Sequence, residues 1–333
     1  MREKPNITDG LIISGLQEEY DLHVSELTFL PLGADMGSAA YRVVTNDGTV
    51  YFLKLRKGFQ EIVVTVPIFL KSQGVQEMIP PLETSSKQYW ADFTEYKMIL
   101  YPFIEGQDGF DIDVTDGLKQ ELGAALKRIH TVKIPLALGE AIPKETYSSY
   151  WRERLKDLQQ LVETTIFDEP TAAKLAAFIK TKRNEIRRLI ERTEELALTL
   201  QSKSLDFVLC HTDIHGANIL ITKDSKLYIV DWDNPLLAPK ERDLMFVGGG
   251  VDTLWESERD EAAFFEGYGK VNIDFTVMAY YRYERVIEDL VAYAEQLLLT
   301  DEGGADREPG YRAFICNFEP GHTIEIAKKT DGF

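Results

Sequence analysis

The sequence predicts an α+β chain of two lobes, the first rich in β-strand and the second mostly helical. Three observations carry this. The 333 residues exceed what one small core absorbs, and length alone suggests about two units. Up to about residue 102 the apolar residues come in short, β-branched, alternating runs. From about residue 115 they recur at helical spacing instead.

The strand runs are VSELTFLPLG, AAYRVVTN and TVYFLKLR, then segments near KQYWADF and EYKMILYPF. Asn46-Asp47-Gly48 separates the second run from the third and is a hairpin signal. QEIVVTVPIFLKSQG reads as a helix, although Pro67 inside it removes a backbone donor. The acidic segment FIEGQDGFDIDVTDG connects the lobes. Leu118, Leu122, Ala125, Leu126 and Ile129 then mark a helix that ends at His130. Helical patterns follow over 147–164 and 171–200. A zone of short strands comes next, and helices resume from about 241.

Composition narrows the function. The chain is 44% hydrophobic and 28% charged, which suits an ordered globular protein. Its 37 basic and 55 acidic residues leave a net charge of -18. That argues against nucleic acid, whose binding needs Lys and Arg on phosphates. It is compatible with a cationic small molecule, though solubilising surface charge is the simpler account. Cys210 and Cys316 have no metal-type spacing and read as free thiols of a reducing compartment. MREKPNITDG has no apolar signal core, and IVVTVPIFL is too short to cross a bilayer. The expectation is a cytoplasmic monomer with no membrane partner.

The stretch HTDIHGANIL, residues 211 to 220, is where chemistry concentrates. One reading makes His211, Asp213 and His215 a metal cage, as in a metal-dependent phosphoesterase. The other is phosphoryl transfer. His211-Thr212-Asp213-x-x-x-x-Asn218 has the spacing of a catalytic loop in which an aspartate orients an acceptor hydroxyl and an asparagine holds magnesium. KLYIVDWDN adds Asp231 at the end of an apolar strand, a hard oxygen ligand suited to Mg²⁺, with Asp233 as a rival. In TVYFLKLR, Lys54 interrupts a strand, as a phosphate-binding lysine does. In LPLGADMGSAAY, the Gly33, Gly37 and Ser38 backbone could approach phosphates, although the spacing is not G-x-G-x-x-G. Each signal is weak alone, but their order along the chain favours phosphoryl transfer.

HTDIHGANIL followed by LYIVDWDN resembles the aminoglycoside phosphotransferases and their relatives, including choline and homoserine kinases. The resemblance runs from roughly residue 25 to 300 and implies a bilobal protein-kinase-like fold. Residues 1–102 would form the nucleotide-binding lobe, 103–117 the hinge and linker, and 118–333 the helical lobe with the catalytic loop and substrate pocket. It implies ATP and Mg²⁺, with Asp213 catalytic, Asn218 and Asp231 on the metal, and Lys54, Gly37 and Ser38 on the nucleotide. MILYPFIEG matches the adenine hinge, so Tyr101 would offer a C=O and Phe103 an N–H. YYRYERVIEDL and FEPGHTIEIAKK are similar to the branch that phosphorylates spectinomycin. That implies spectinomycin as acceptor, at its 9-hydroxyl, and antibiotic resistance as the outcome; a choline- or homoserine-type kinase is the alternative. Asp213, Asp233, Tyr281 and Glu284 are the candidate acceptor contacts. The glutamate that would pair Lys54 is not obvious; Glu61 is the only acid early in its helix. Thr212 stands where an Arg that meets an activation-loop phosphate would be, which argues against such a switch and against a protein substrate. His130 and His215 read as structural.

Overall fold

A five-stranded antiparallel sheet organises the first lobe. The computed structural model describes residues 4–32, 37–251, 253–255, 257–301 and 303–332, so Gly33 lies outside the described residues. The strands are β1 (Val24–Leu30), β2 (Ser38–Thr45), β3 (Val50–Arg56), β4 (Ala91–Phe93) and β5 (Tyr96–Pro102). Their order across the sheet is β1-β2-β3-β5-β4. The β2–β3 hairpin turns at Asn46–Thr49, where Gly48 takes φ +84°, a conformation that favours glycine.

Alternation along the strands splits the lobe into two faces. Tyr41, Val43, Leu53, Leu55, Met98 and Leu100 are buried together with Ile12 and Leu16 of a first helix, α1 (Asp9–Tyr20). This helix was not expected from the sequence. Its buried residues are only Ile12, Leu16 and Tyr20, a single stripe at four-residue spacing. Tyr20 also donates its hydroxyl to the Met98 C=O at 3.1 Å. Lys54 falls on the opposite face, in register with Ala40 on β2 and Ile99 on β5. That face meets α2 (Ile62–Ser72), which carries Pro67 and buries Ile62, Val63, Val64, Val66 and Leu70 in the larger core of the molecule.

The connection is less loose than expected. Its β6 (Gly106–Asp108) pairs with β8 (Ile219–Thr222), which pairs with β9 (Leu227–Ile229). A two-stranded ladder of β7 (Val208–Cys210) and β10 (Leu236–Ala238) lies at the other end of the same loops. Helices complete the second lobe: α3 (Asp116–Thr131), α4 (Leu136–Ala141), α5 (Tyr150–Thr164), α6 (Pro170–Gln201), α7 (Glu241–Leu244), α8 (Glu258–Tyr268), α9 (Phe275–Leu299), α10 (Arg307–Cys316) and α11 (Thr323–Thr330). The expected helices at 147–164 and 171–200 are thus α5 and α6.

Local chemistry sets several of these boundaries. Thr115 caps α3, and Glu169 caps α6 by accepting from the Thr171 and Ala172 N–H groups, with Pro170 at the first helical position. Ser257 and Asp260 form a capping box on α8. Helices α3 and α8 approach so closely that a Cβ on Gly123 or Gly267 would lie 2.1 Å from the Phe264 C=O or 1.8 Å from the Gln120 C=O. The long α9 buries Tyr280, Tyr281, Tyr283, Val286, Ile287 and Leu290. It packs against α5, α6, α7, α10 and α11. No helix among the described residues is long and apolar enough to cross a membrane.

Candidate active site

The strand β7 delivers the chain to the loop 211–218, and buried Asp243 of α7 braces it. Asp243 accepts the N–H of His211 at 2.9 Å and of Thr212 at 2.7 Å. Thr212 sits at φ +77° and donates its hydroxyl to the Asn234 C=O at 3.0 Å. His211 spends both ring nitrogens on backbone: Nδ1 accepts from the Asp213 N–H at 3.2 Å, and Nε2 donates to the Val230 C=O at 2.8 Å. It therefore cannot join Asp213 and His215 in a metal cage. Among the described residues, the one close cluster of potential ligands is His130, Cys210 and Asp243, wholly buried. His130 and Asp243 there are already hydrogen-bonded, to each other, to Tyr268 and to the loop backbone. His130 and His215 are both structural in this sense, since His215 stacks on Phe110 and contacts Asp213 at 3.3 Å.

Asp213 points its carboxylate toward the cleft with 36% of the side chain exposed. Burial opposes its ionisation, but His215 and Arg285 outweigh burial and hold it well below the usual carboxylate range. Asn218, almost fully buried, donates its amide to the Asp213 C=O at 2.9 Å and to Oδ2 at 3.3 Å. That turns its amide oxygen the other way. Across the β8–β9 ladder, Ile219 faces Ile229, and Val230 donates to the Asn218 C=O at 3.0 Å. Asp231 therefore follows directly beside Asn218, at φ +65°.

Lys54 reaches from β3 to this point. Its Nζ lies 2.7 Å from Asp231 Oδ1 and 2.8 Å from Asp233 Oδ1. Burial works against the charge on Asp231, yet Lys54 overcomes it and the acid stays below its ordinary range. The two rivals differ in their commitments. Asp233 is 16% exposed and also ion-pairs with Arg56, whereas Asp231 is 42% exposed. Glu61 is not the partner of Lys54: it is exposed at the start of α2, and the carboxylates that meet the lysine are Asp231 and Asp233.

Lysine, aspartate, asparagine and a second aspartate thus converge from three segments of the chain: β3, the loop 211–218 and the end of β9. A model of the phosphotransferase enzyme family matches residues 28–282. The chain belongs to that family. Over its whole length this phosphotransferase is similar to solved structures of spectinomycin phosphotransferase APH(9)-Ia. The form in complex with ADP and spectinomycin is 34% identical, covers 99% of this chain and 100% of that one, and superposes with a TM-score of 0.90. The AMP-bound form is also 34% identical, covers 96% and 98%, and gives 0.85. An amicoumacin kinase in complex with AMP-PNP, Ca²⁺ and its ligand covers 97% and 94% with a TM-score of 0.62, but at 17% identity it shows the shared fold alone. No curated protein sequence matches the chain. The phosphotransferase is an enzyme, a kinase, and its fold is the bilobal protein-kinase-like one.

Three expected contacts need correction or narrowing. The Phe103 N–H is donated to the Val50 C=O at 3.3 Å, extending the β3–β5 ladder. It is not available to adenine. Backbone groups alternate in direction along a strand, so the Pro102 C=O, at the end of β5, faces the other edge. Tyr101, in register with Phe52, lies in the same ladder; burial pushes its hydroxyl up to about 12. Tyr281 is 2% exposed, packed against Tyr280 and under the Arg242 guanidinium, too deep to meet an acceptor. Glu284 is 14% exposed and paired to buried Arg152. Gly37 and Ser38 sit where β2 begins, with the Gly37 C=O bound by the Lys57 N–H at 2.7 Å.

Two residues of the site were not singled out by sequence. Asp243 lies outside the loop motif, and only its place 30 residues downstream of Asp213 marks it. Arg285 of α9 ion-pairs with Asp213 at 2.6 Å. Its one sequence signal is the i, i+4 pairing with Asp289, a spacing common on exposed helices. The donor set at Asn218 and Asp231 is all oxygen, with the Asn218 N–H groups turned away, which fits a hard divalent cation such as Mg²⁺.

Proposed function

We propose that this phosphotransferase moves the γ-phosphoryl group of ATP to a hydroxyl of spectinomycin, the 9-hydroxyl, and so confers resistance to the antibiotic. The observation that carries the acceptor is the whole-length similarity to spectinomycin phosphotransferase at 34% identity. The chemistry is supported by the convergence of Lys54, Asp213, Asn218 and Asp231.

The nucleotide would lie under the sheet of residues 1–102, with adenine against the Pro102 C=O. Gly37 and Ser38 would face its phosphates. Lys54 would exchange its two carboxylate partners for phosphate oxygens. Asn218 and Asp231 are the residues that would hold Mg²⁺, which when bound neutralises charge on the β- and γ-phosphates. Asp213 would accept a hydrogen bond from the acceptor hydroxyl. The acceptor oxygen forms a bond to the γ-phosphorus, the bond from that phosphorus to the β–γ bridging oxygen breaks, ADP leaves, and the hydroxyl proton passes to Asp213. A carboxylate held so strongly ionised is a weak base, so the proton leaves late and Asp213 acts mainly by positioning. Asp233 and Glu284 remain candidate acceptor contacts, each with a small exposed fraction of its side chain.

The test is ATP consumption by purified enzyme with spectinomycin, kanamycin, choline and homoserine in parallel. Spectinomycin is expected to be turned over best. Efficient use of choline or homoserine with none of spectinomycin would replace this reading with that of a metabolite kinase.

A further inference from the structure

We propose that Arg285 is a positioning residue for the phosphotransfer: it clamps one oxygen of Asp213 so that the other faces the acceptor hydroxyl, and it reserves that place for a hydroxyl and not an ammonium group. The inference rests on Asp213 being the acceptor-facing carboxylate.

Three sides of the Arg285 guanidinium are occupied. Nη1 donates to Asp213 Oδ1 at 2.6 Å. Nε lies 3.0 Å from Asp289 Oδ1 in an ion pair along the helix. Its flat face covers the Phe246 ring at 5.4 Å, and Phe246 is itself fully buried. A planar fork held between two acids and a ring has little freedom to swing away.

The two oxygens of Asp213 are therefore not equivalent. Oδ1 has the short, charge-assisted contact to Arg285. Oδ2 has only the longer approaches of His215 Nε2 at 3.3 Å and Asn218 Nδ2 at 3.3 Å. It is the oxygen left with capacity for an incoming hydroxyl. Without Arg285, the carboxylate would rotate toward His215 and Asn218, and the reacting oxygen would lose its aim.

The charge argument is separate. The charges of Asp289, Asp213 and Glu288 all bear on Arg285, which pairs directly with the first two, while Glu288 lies 4.0 Å from Arg242. A cationic acceptor would otherwise find Asp213 attractive through its ammonium, a bound state in which no hydroxyl meets the phosphorus. With Arg285 in place that pose is repelled, which is specificity by exclusion.

The experiment compares Arg285→Met, Arg285→Lys and Asp213→Asn in the full chain, with ATP and spectinomycin as substrates and ADP binding as a control. Arg285→Met is expected to lower kcat roughly 30-fold or more and to lower the KM for spectinomycin, while ADP affinity changes less than about 3-fold. Arg285→Lys is expected to recover about a third or more of that loss on a logarithmic scale, since lysine restores the charge without the fork. Wild-type kcat in Arg285→Met, or equal loss in both variants with ADP binding weakened in step, would overturn the proposal. If Arg285→Met does not fold, Arg285→Lys decides alone: an intermediate kcat with unchanged ADP affinity supports the clamp, and a wild-type kcat overturns it. Asp213→Asn separates the two levels. Full turnover there removes the reading on which the clamp rests, whereas an inactive Asp213→Asn beside an unaffected Arg285→Met removes the clamp only. Wild-type enzyme inert toward spectinomycin would overturn both.

Discussion

Asp243 and Thr212 are joined by a 2.7 Å hydrogen bond from the Thr212 N–H, and the same carboxylate takes the His211 N–H at 2.9 Å. This buried acid from α7 holds a loop residue at φ +77°, a conformation that is costly for threonine. Asp243→Ala would strand two buried N–H groups and the ring of His130. Each unsatisfied group costs about 1–3 kcal/mol, so a loss of roughly 3–5 kcal/mol in denaturant unfolding is expected. Turnover should fall about 100-fold or more, because small misplacements of Asp213 are expensive. A variant with wild-type stability and rate would mean that the loop holds its own shape.

Asp231 and Asp233 are two residues apart and share Lys54, yet they should fail differently. Asp231→Ala is expected to abolish the Mg²⁺ dependence of nucleotide binding. Asp233→Ala should keep that dependence, since its other partner is Arg56, and should instead loosen the contact between β3 and the 231–234 loop. Calorimetric titration of ADP with and without Mg²⁺ separates them. If only Asp233→Ala removes the metal effect, the two assignments are exchanged.

Glu284 supplies the pH prediction. Burial pushes its carboxyl up to about 7 from 4.5, opposed by Arg152 of α5 and helped by Glu145 and Glu288. A folded-state value above the unfolded one means that the group favours folding below pH 4.5 and loses that contribution as pH rises through about 7. The full swing is at most about 3 kcal/mol. Glu284→Gln stays neutral throughout, and Arg152 stays charged, so the Gln variant should gain on wild type between pH 5 and 8. Melting curves across that range read the difference. Parallel pH profiles would show that Glu284 does not titrate there.

What the sequence revealed and what it hid divide along physical lines. That Lys54, Asp213, Asn218 and Asp231 come together was legible, because the phosphate and metal chemistry read into them asks for those residue types in that order along the chain. The strands of the first sheet were legible through alternation and the Asn46-Asp47-Gly48 turn. Helix α1 was missed because only one narrow stripe of it is buried. The direction of the hinge groups was not legible, since a strand signal says nothing of which edge its N–H groups face, and the Phe103 N–H is bonded to Val50. Tyr281 and Glu284 lie on one helix at short spacing, yet Tyr281 is 2% exposed and the Glu284 side chain 14%, a difference in depth that the neighbours α5 and α7 set and spacing does not show. Arg285 and Asp243 act on the loop from over 70 and about 30 residues downstream, and only folding brings them there.

The most direct measurement is the mass of spectinomycin after incubation with ATP, Mg²⁺ and either wild-type enzyme or Asp213→Asn. The account predicts one added phosphate with the wild type, ADP formed in equal amount, and almost no product with the variant under the same conditions. Unmodified spectinomycin with the wild type, or equal phosphorylation by the variant, would contradict it.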